Sequence, residues 1–130
     1  STRPWQHELE PVIGYMTLAK KLKSNIELSH SSYNFGPSSK KHYSVGDILD
    51  CVSKLIKIEV IKKNDNSLKE TNLLHLNSNK ALKLLKWKTK LNFKETIKYT
   101  IEWYEEYLKN KENIFKFTTT QINRYLKTKY

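Results

Sequence analysis

Only three glycines and three prolines punctuate the 130 residues, and cysteine occurs once. So few chain breakers exclude long flexible linkers and the collagen-like or low-complexity classes. A lone Cys51 cannot close an internal disulfide; it falls on the expected apolar face of a helix, where it reads as a small hydrophobe rather than a redox centre. No apolar run approaches the roughly 20 residues of a membrane helix, and the first residues lack the apolar core of a secretory signal. The expectation is a soluble, cytoplasmic protein with no membrane partner. Arginine is scarce as well: Arg3 and Arg124 are two of the 24 basic residues, and the other 22 are lysines.

That scarcity decides how the net charge of +11 is read. A strongly basic chain invites a nucleic-acid partner, because cations on phosphates release condensed counterions. The lysines, however, are scattered along every expected helix with glutamates among them, and lysine lacks the bidentate fork with which arginine reads bases and phosphates. Abundant Lys, Asn and Ile together fit a compositional bias of the genome better than selection for a polyanion. A basic nucleic-acid-binding module is therefore the alternative reading, not the leading one. With 38% hydrophobic residues, including three Trp, eight Tyr and four Phe, the chain has apolar surface for one core, and residues 1–130 are expected to form a single domain.

Periodicity supplies the elements. Leu9, Val12, Ile13, Met16 and Ala19 recur at helical spacing over Leu9 to Leu22, with Pro11 tolerated near the start. A polar stretch, Ser24 to Ser32, follows. Tyr33-Asn34-Phe35 before Gly36-Pro37 predicts a short buried strand running into a loop. Ser44 and Asp47 make a capping box for a helix faced by Val45, Ile48, Leu49, Val52 and Ile56, and alternation at Ile56, Ile58 and Val60 predicts a strand ending near Lys63. Asn64 to Ser67 is turn chemistry, Leu73 to Leu76 a brief apolar run, and Ser78 a cap for a short helix that carries Ala81, Leu84 and Leu85 and ends at Trp87. Asn92 with Glu95 opens the clearest amphipathic stripe, Phe93, Ile97, Ile101, Tyr104 and Leu108, and a last helix is expected from Thr120 to about Lys127. The sum is a mixed, helix-rich α/β piece with two or three short strands and no internal repeat.

Arg3-Pro4-Trp5-Gln6-His7, Leu9-Glu10-Pro11, Gly14-Tyr15, Tyr33-Asn34-Phe35-Gly36-Pro37 and Trp103-Tyr104, in that order, resemble the carboxy-terminal part of CDP-glucose 4,6-dehydratases, which are extended short-chain dehydrogenases/reductases. The segments Leu76 to Ala81, Leu85-Lys86-Trp87 and Thr100 to Tyr104 extend the resemblance over nearly the whole chain. Lys86 stands where that family usually carries Gly, Thr89 where it often has Pro, and Asn77 where Asp is common. The resemblance implies the substrate-binding portion of such an enzyme without the complete Rossmann domain, and a place in lipopolysaccharide O-antigen sugar metabolism.

The family oxidises the sugar at C4 with bound NAD, eliminates water across C5 and C6, and returns the hydride to C6. The complete enzyme would thus need NAD, from a Rossmann portion that a separate amino-terminal chain could supply; three isolated glycines provide no Gly-rich pyrophosphate turn here. No catalytic, cofactor-binding or metal residue is assigned. Tyr125 and Lys129 match the family's Tyr/Lys base pair by spacing alone, on a terminal helix expected to fray, and are set aside. His30, His42 and His75 lie far apart without metal-ligand spacing. The resemblance leaves three candidate substrate contacts: Arg3 for the diphosphate of a nucleotide sugar such as CDP-glucose, His7 for the nucleotide or for orienting its own loop, and Glu70 for a ribose hydroxyl or, equally, as a solvated acid. Glu10 is expected to serve the first helical turn by meeting the positive dipole end, and Trp5 to be core. A third reading makes the chain a structural remnant whose Trp103 to Leu108 helix serves assembly.

Overall fold

Residues 2–38, 42–61 and 74–129 are described by the computed structural model. A minimal antiparallel pair, β1 (Thr2–Arg3) and β2 (Tyr43–Ser44), sets Thr2 opposite Ser44 and Arg3 opposite Tyr43. Among the described residues four helices follow in chain order: α1 (Leu9–Leu22), α2 (Val45–Ser53), α3 (Phe93–Lys109) and α4 (Ile114–Lys127). Tight turns at Ile26–His30 and Lys111–Asn113 and a wide π-type turn at Ala81–Leu85 complete the regular structure. Among the described residues, no helix is long and apolar enough to cross a membrane.

Local chemistry explains why α2 and α3 start where they do. Ser44 Oγ accepts from the Asp47 amide at 3.1 Å while the Asp47 carboxylate accepts from the Ser44 amide at 2.7 Å. Asn92 and Glu95 repeat the exchange at the head of α3, so each helix has two otherwise orphaned amides satisfied reciprocally.

The core has two centres. Phe35, Ala81, Leu85 and Trp87 form one, with Leu18, Leu28 and Tyr33 packed against them. Leu91, Tyr99 and Tyr125 form the other, with Leu9 and Ile13 alongside. Two glycines make the close packing possible: a Cβ on Gly14 would lie 2.4 Å from the Phe35 ring, and one on Gly36 would lie 2.7 Å from Leu76 Cβ.

Several expectations are corrected. Tyr33 to Pro37 is irregular rather than a strand, although Phe35 is buried, because the single sheet among the described residues pairs β1 with β2 and gives this segment no ladder. Ile56 to Ile61 is likewise irregular, with Val60 and Ile61 exposed; Lys62, Lys63, the Asn64 to Ser67 turn and Leu73 lie outside the described residues. Ser78 does not cap the following turn: its hydroxyl accepts from the Gly36 amide and donates to the Gly36 carbonyl. The last helix starts at Ile114, six residues before Thr120. Helix α1 has the expected ends, and Leu9 and Ile13 of its expected inner face pack against the core, but Glu10 and Gly14 are buried while Val12, Met16 and Ala19 face outward.

Candidate functional site

Arg3 leaves β1 into a connector that is pinned along its length. Trp5 donates its amide to the Arg3 carbonyl and its indole Nε1 to the Tyr43 carbonyl, each at 2.9 Å. Gln6 Nε2 donates to the Phe35 carbonyl at 2.7 Å. His7 Nδ1 then accepts from the Leu9 amide at 3.2 Å, doing for α1 what a cap side chain does, because Glu8 makes no such bond. Trp5 is half-buried, not the core residue expected.

Trp5 and Gln6 line two clefts, and the structure parts Arg3 from His7 between them. The first, about 360 Å³, is lined by Arg3, His42, His75, Lys90, Tyr43 and Phe93 among others. Its floor is rigid, since the Tyr43 and Phe93 rings stack 3.7 Å apart and within 3° of parallel. Among the described residues, cations and neutral donors line it and no carboxylate side chain does. The second, about 540 Å³, is walled chiefly by apolar residues of α3 and α4 such as Ile97, Trp103 and Ile122, with Thr96, Thr100 and Gln121 as polar points. His7 faces this second cleft, crosses the Tyr99 ring edge to face at 5.5 Å, and is held below the ordinary histidine value by burial, which the Glu8 charge offsets in part. Glu70, the third expected contact, lies outside the described residues.

The two arginines have different employment. Arg124 lies over the Tyr99 ring at 4.1 Å and donates to the Glu102 carboxylate, which raises its pKa further; it joins α4 to α3. Arg3, whose Nη1 donates to the Thr2 carbonyl at 2.8 Å, lines the cationic cleft.

Sequence reasoning missed the buried carboxylate. Glu10 does not serve the α1 dipole from the surface: it is fully buried, its Oε1 accepts from the Lys90 and Leu91 amides at 2.9 and 2.8 Å, and its Oε2 accepts from Tyr125. Tyr125 is correspondingly 1% exposed instead of fraying, and its hydroxyl is committed to Glu10. Proline after the glutamate and the tyrosine near the end were visible signals, but nothing local linked them.

NAD, which the dehydratase resemblance implies for a complete enzyme, does not fit the residues here. A dinucleotide cradle needs glycines that turn tightly at a helix start, whereas Gly14 and Gly36 are occupied in packing and no described glycine has a positive φ. Among the described residues no three His, Cys, Asp or Glu side chains gather as metal ligands.

No protein-family model matches the chain. Over 114 residues, 86% of its length, the chain is 28% identical to the CDP-glucose 4,6-dehydratase of Salmonella typhimurium. The match spans 32% of that relative, in its carboxy-terminal part, and supports a distant relation to that family.

Proposed function

We propose that the chain is the substrate-side portion of a cytoplasmic nucleotide-sugar dehydratase and that its cationic cleft takes the diphosphate of CDP-glucose or a close analogue. The observation that carries the reading is the position of Arg3 in a cleft lined by Lys90 and two histidines and, among the described residues, by no carboxylate side chain. A guanidinium meets two phosphate oxygens at once with directional, charge-assisted bonds. The stacked Tyr43 and Phe93 rings give the nucleoside or sugar a flat apolar wall beside it. His7 keeps its own loop in shape through the Leu9 amide and contributes at a distance.

Under this reading, oxidation, dehydration and NAD binding belong to a Rossmann portion, in the same polypeptide or a separate one. The outward face of α1, with Val12, Tyr15 and Met16 between 45% and 62% exposed, supports a large apolar neighbour there. Calorimetric titration with CDP-glucose tests the assignment. Micromolar to millimolar binding that weakens at least tenfold in Arg3→Ala is expected, about the 1.5–3 kcal/mol of a charged hydrogen bond. No binding at millimolar ligand, or binding indifferent to Arg3, would overturn it.

A further inference from the structure

We infer that His42 and His75 form a proton-dependent second grip on the phosphates, so that ligand binding at this cleft is coupled to proton uptake. The inference rests on the nucleotide-sugar reading of the cleft. Neither histidine belongs to a segment that carries the dehydratase resemblance by motif, and in sequence they are 33 positions apart. In space their rings meet edge to face, with centroids 5.1 Å apart. Both residues are exposed, and both line the cleft that Arg3 and Lys90 line.

Histidine is the side chain whose charge ordinarily changes between about pH 5 and 8. Two imidazolium rings this close repel each other, and Arg3 and Lys90 in the same cleft add to the repulsion. An anion placed among them reverses the balance: each phosphate charge favours the protonated rings, and each protonated ring favours the phosphate. Proton and ligand must then promote each other's binding, by the reciprocity that governs any two linked sites.

The other charged groups nearby do not substitute for this effect. From β1 and the segment before α3 come Arg3 and Lys90, and from β2 comes Tyr43. Among the described residues, Asp47 is engaged with the Ser44 amide, Glu95 with the Asn92 amide and Glu10 with the Lys90 and Leu91 amides, while Glu8 lines the other cleft. His7 faces the other cleft, and His30 lies beside Glu27 on the exposed turn after α1. The phosphates of a nucleotide sugar are diesters and take up no proton in this range, so a pH effect on affinity reports the protein.

The experiment is titration calorimetry with CDP-glucose near pH 5.5 and pH 8, in two buffers of different ionisation enthalpy, on the wild-type chain and on His42→Gln, His75→Gln and the double variant. Circular dichroism confirms that each variant is folded. Roughly tenfold tighter binding is expected at the lower pH, the size of one added charged hydrogen bond, with net proton uptake of up to one per ligand. The double variant should lose both the pH dependence and the proton uptake. Arg3-dependent binding of equal strength at both pH values, or proton uptake undiminished in the double variant, would overturn this inference and leave the cleft assignment standing. Absence of binding at every pH would overturn both.

Discussion

Tyr125 donates its hydroxyl to Glu10 Oε2 at 2.6 Å, joining residues 115 positions apart and locking the last turn of α4 to the first turn of α1. The other carboxylate oxygen holds the Lys90 and Leu91 amides, so three distant segments end on one buried side chain. Lys90 also lines the cationic cleft and extends its ammonium over the Tyr125 ring at 5.3 Å. The same carboxylate that closes the fold therefore fixes one wall of the candidate site.

Glu10→Ala should be the most damaging single change on this account. It strands two backbone amides and a phenol in the interior, and each unsatisfied buried donor costs about 1–3 kcal/mol; a total loss on the order of 4 kcal/mol is expected in urea unfolding. Tyr125→Phe removes one donor and keeps the ring packed, so about 1–2 kcal/mol is expected. Equal stability of Tyr125→Phe and wild type would show that this hydrogen bond contributes nothing net.

Lys86 is the one described non-glycine residue with a positive φ, at 59°, where it closes the Ala81–Leu85 turn ahead of the buried Trp87. A left-handed conformation crowds Cβ against the following carbonyl and is the usual place for glycine after a helical turn. The dehydratase resemblance puts glycine at this position. Lys86→Gly should thus raise stability by about 0.5–1 kcal/mol, the relief of strain exceeding the extra unfolded-state freedom of glycine. A lowered melting temperature would mean that the lysine side chain has a role that its backbone strain conceals.

His7 gives stability a pH dependence of definite sign. Burial lowers its pKa from the ordinary 6.5, so between the folded value and 6.5 the unfolded chain binds more protons. The associated stability is present above 6.5 and is lost as pH falls through the folded value. Protonation would also cost the Nδ1 acceptor that receives the Leu9 amide. In His7→Asn, whose Oδ1 can take the same amide, the decline in unfolding free energy between about pH 7 and pH 5 should be shallower than in wild type. An identical slope in the two proteins would assign the decline to other groups.

What was legible in the sequence was local. Ser44 with Asp47 and Asn92 with Glu95 are caps complete within four residues, and α2 and α3 begin at them. The start of α4 was hidden because Phe115, Phe117 and Thr118 to Thr120 are weak helix formers. Their helix is carried by tertiary bonds, from the Trp103 indole to Thr118 and from Gln121 to the Tyr99 carbonyl, while the three threonine hydroxyls return to carbonyls one turn back. Arg3 could be singled out by rarity and motif. The partners of Glu10 lie 80 or more residues away, and His42 meets His75 across 33 positions; neither leaves a mark at short range.

The two arginines offer a reciprocal test of this division between fold and site. Arg124→Ala removes the Glu102 contact and the cation over Tyr99 at a position 47% exposed by side chain, and about 1 kcal/mol of stability should go with it. CDP-glucose affinity should be unchanged, because Arg124 lines neither of the two clefts that flank Trp5 and Gln6. Arg3→Ala should act on the ligand instead, weakening it tenfold or more. Thermal unfolding and calorimetric titration on the same two variants read both quantities. Loss of binding in Arg124→Ala with its stability intact would move the anion site away from Arg3 to the exposed end of α4.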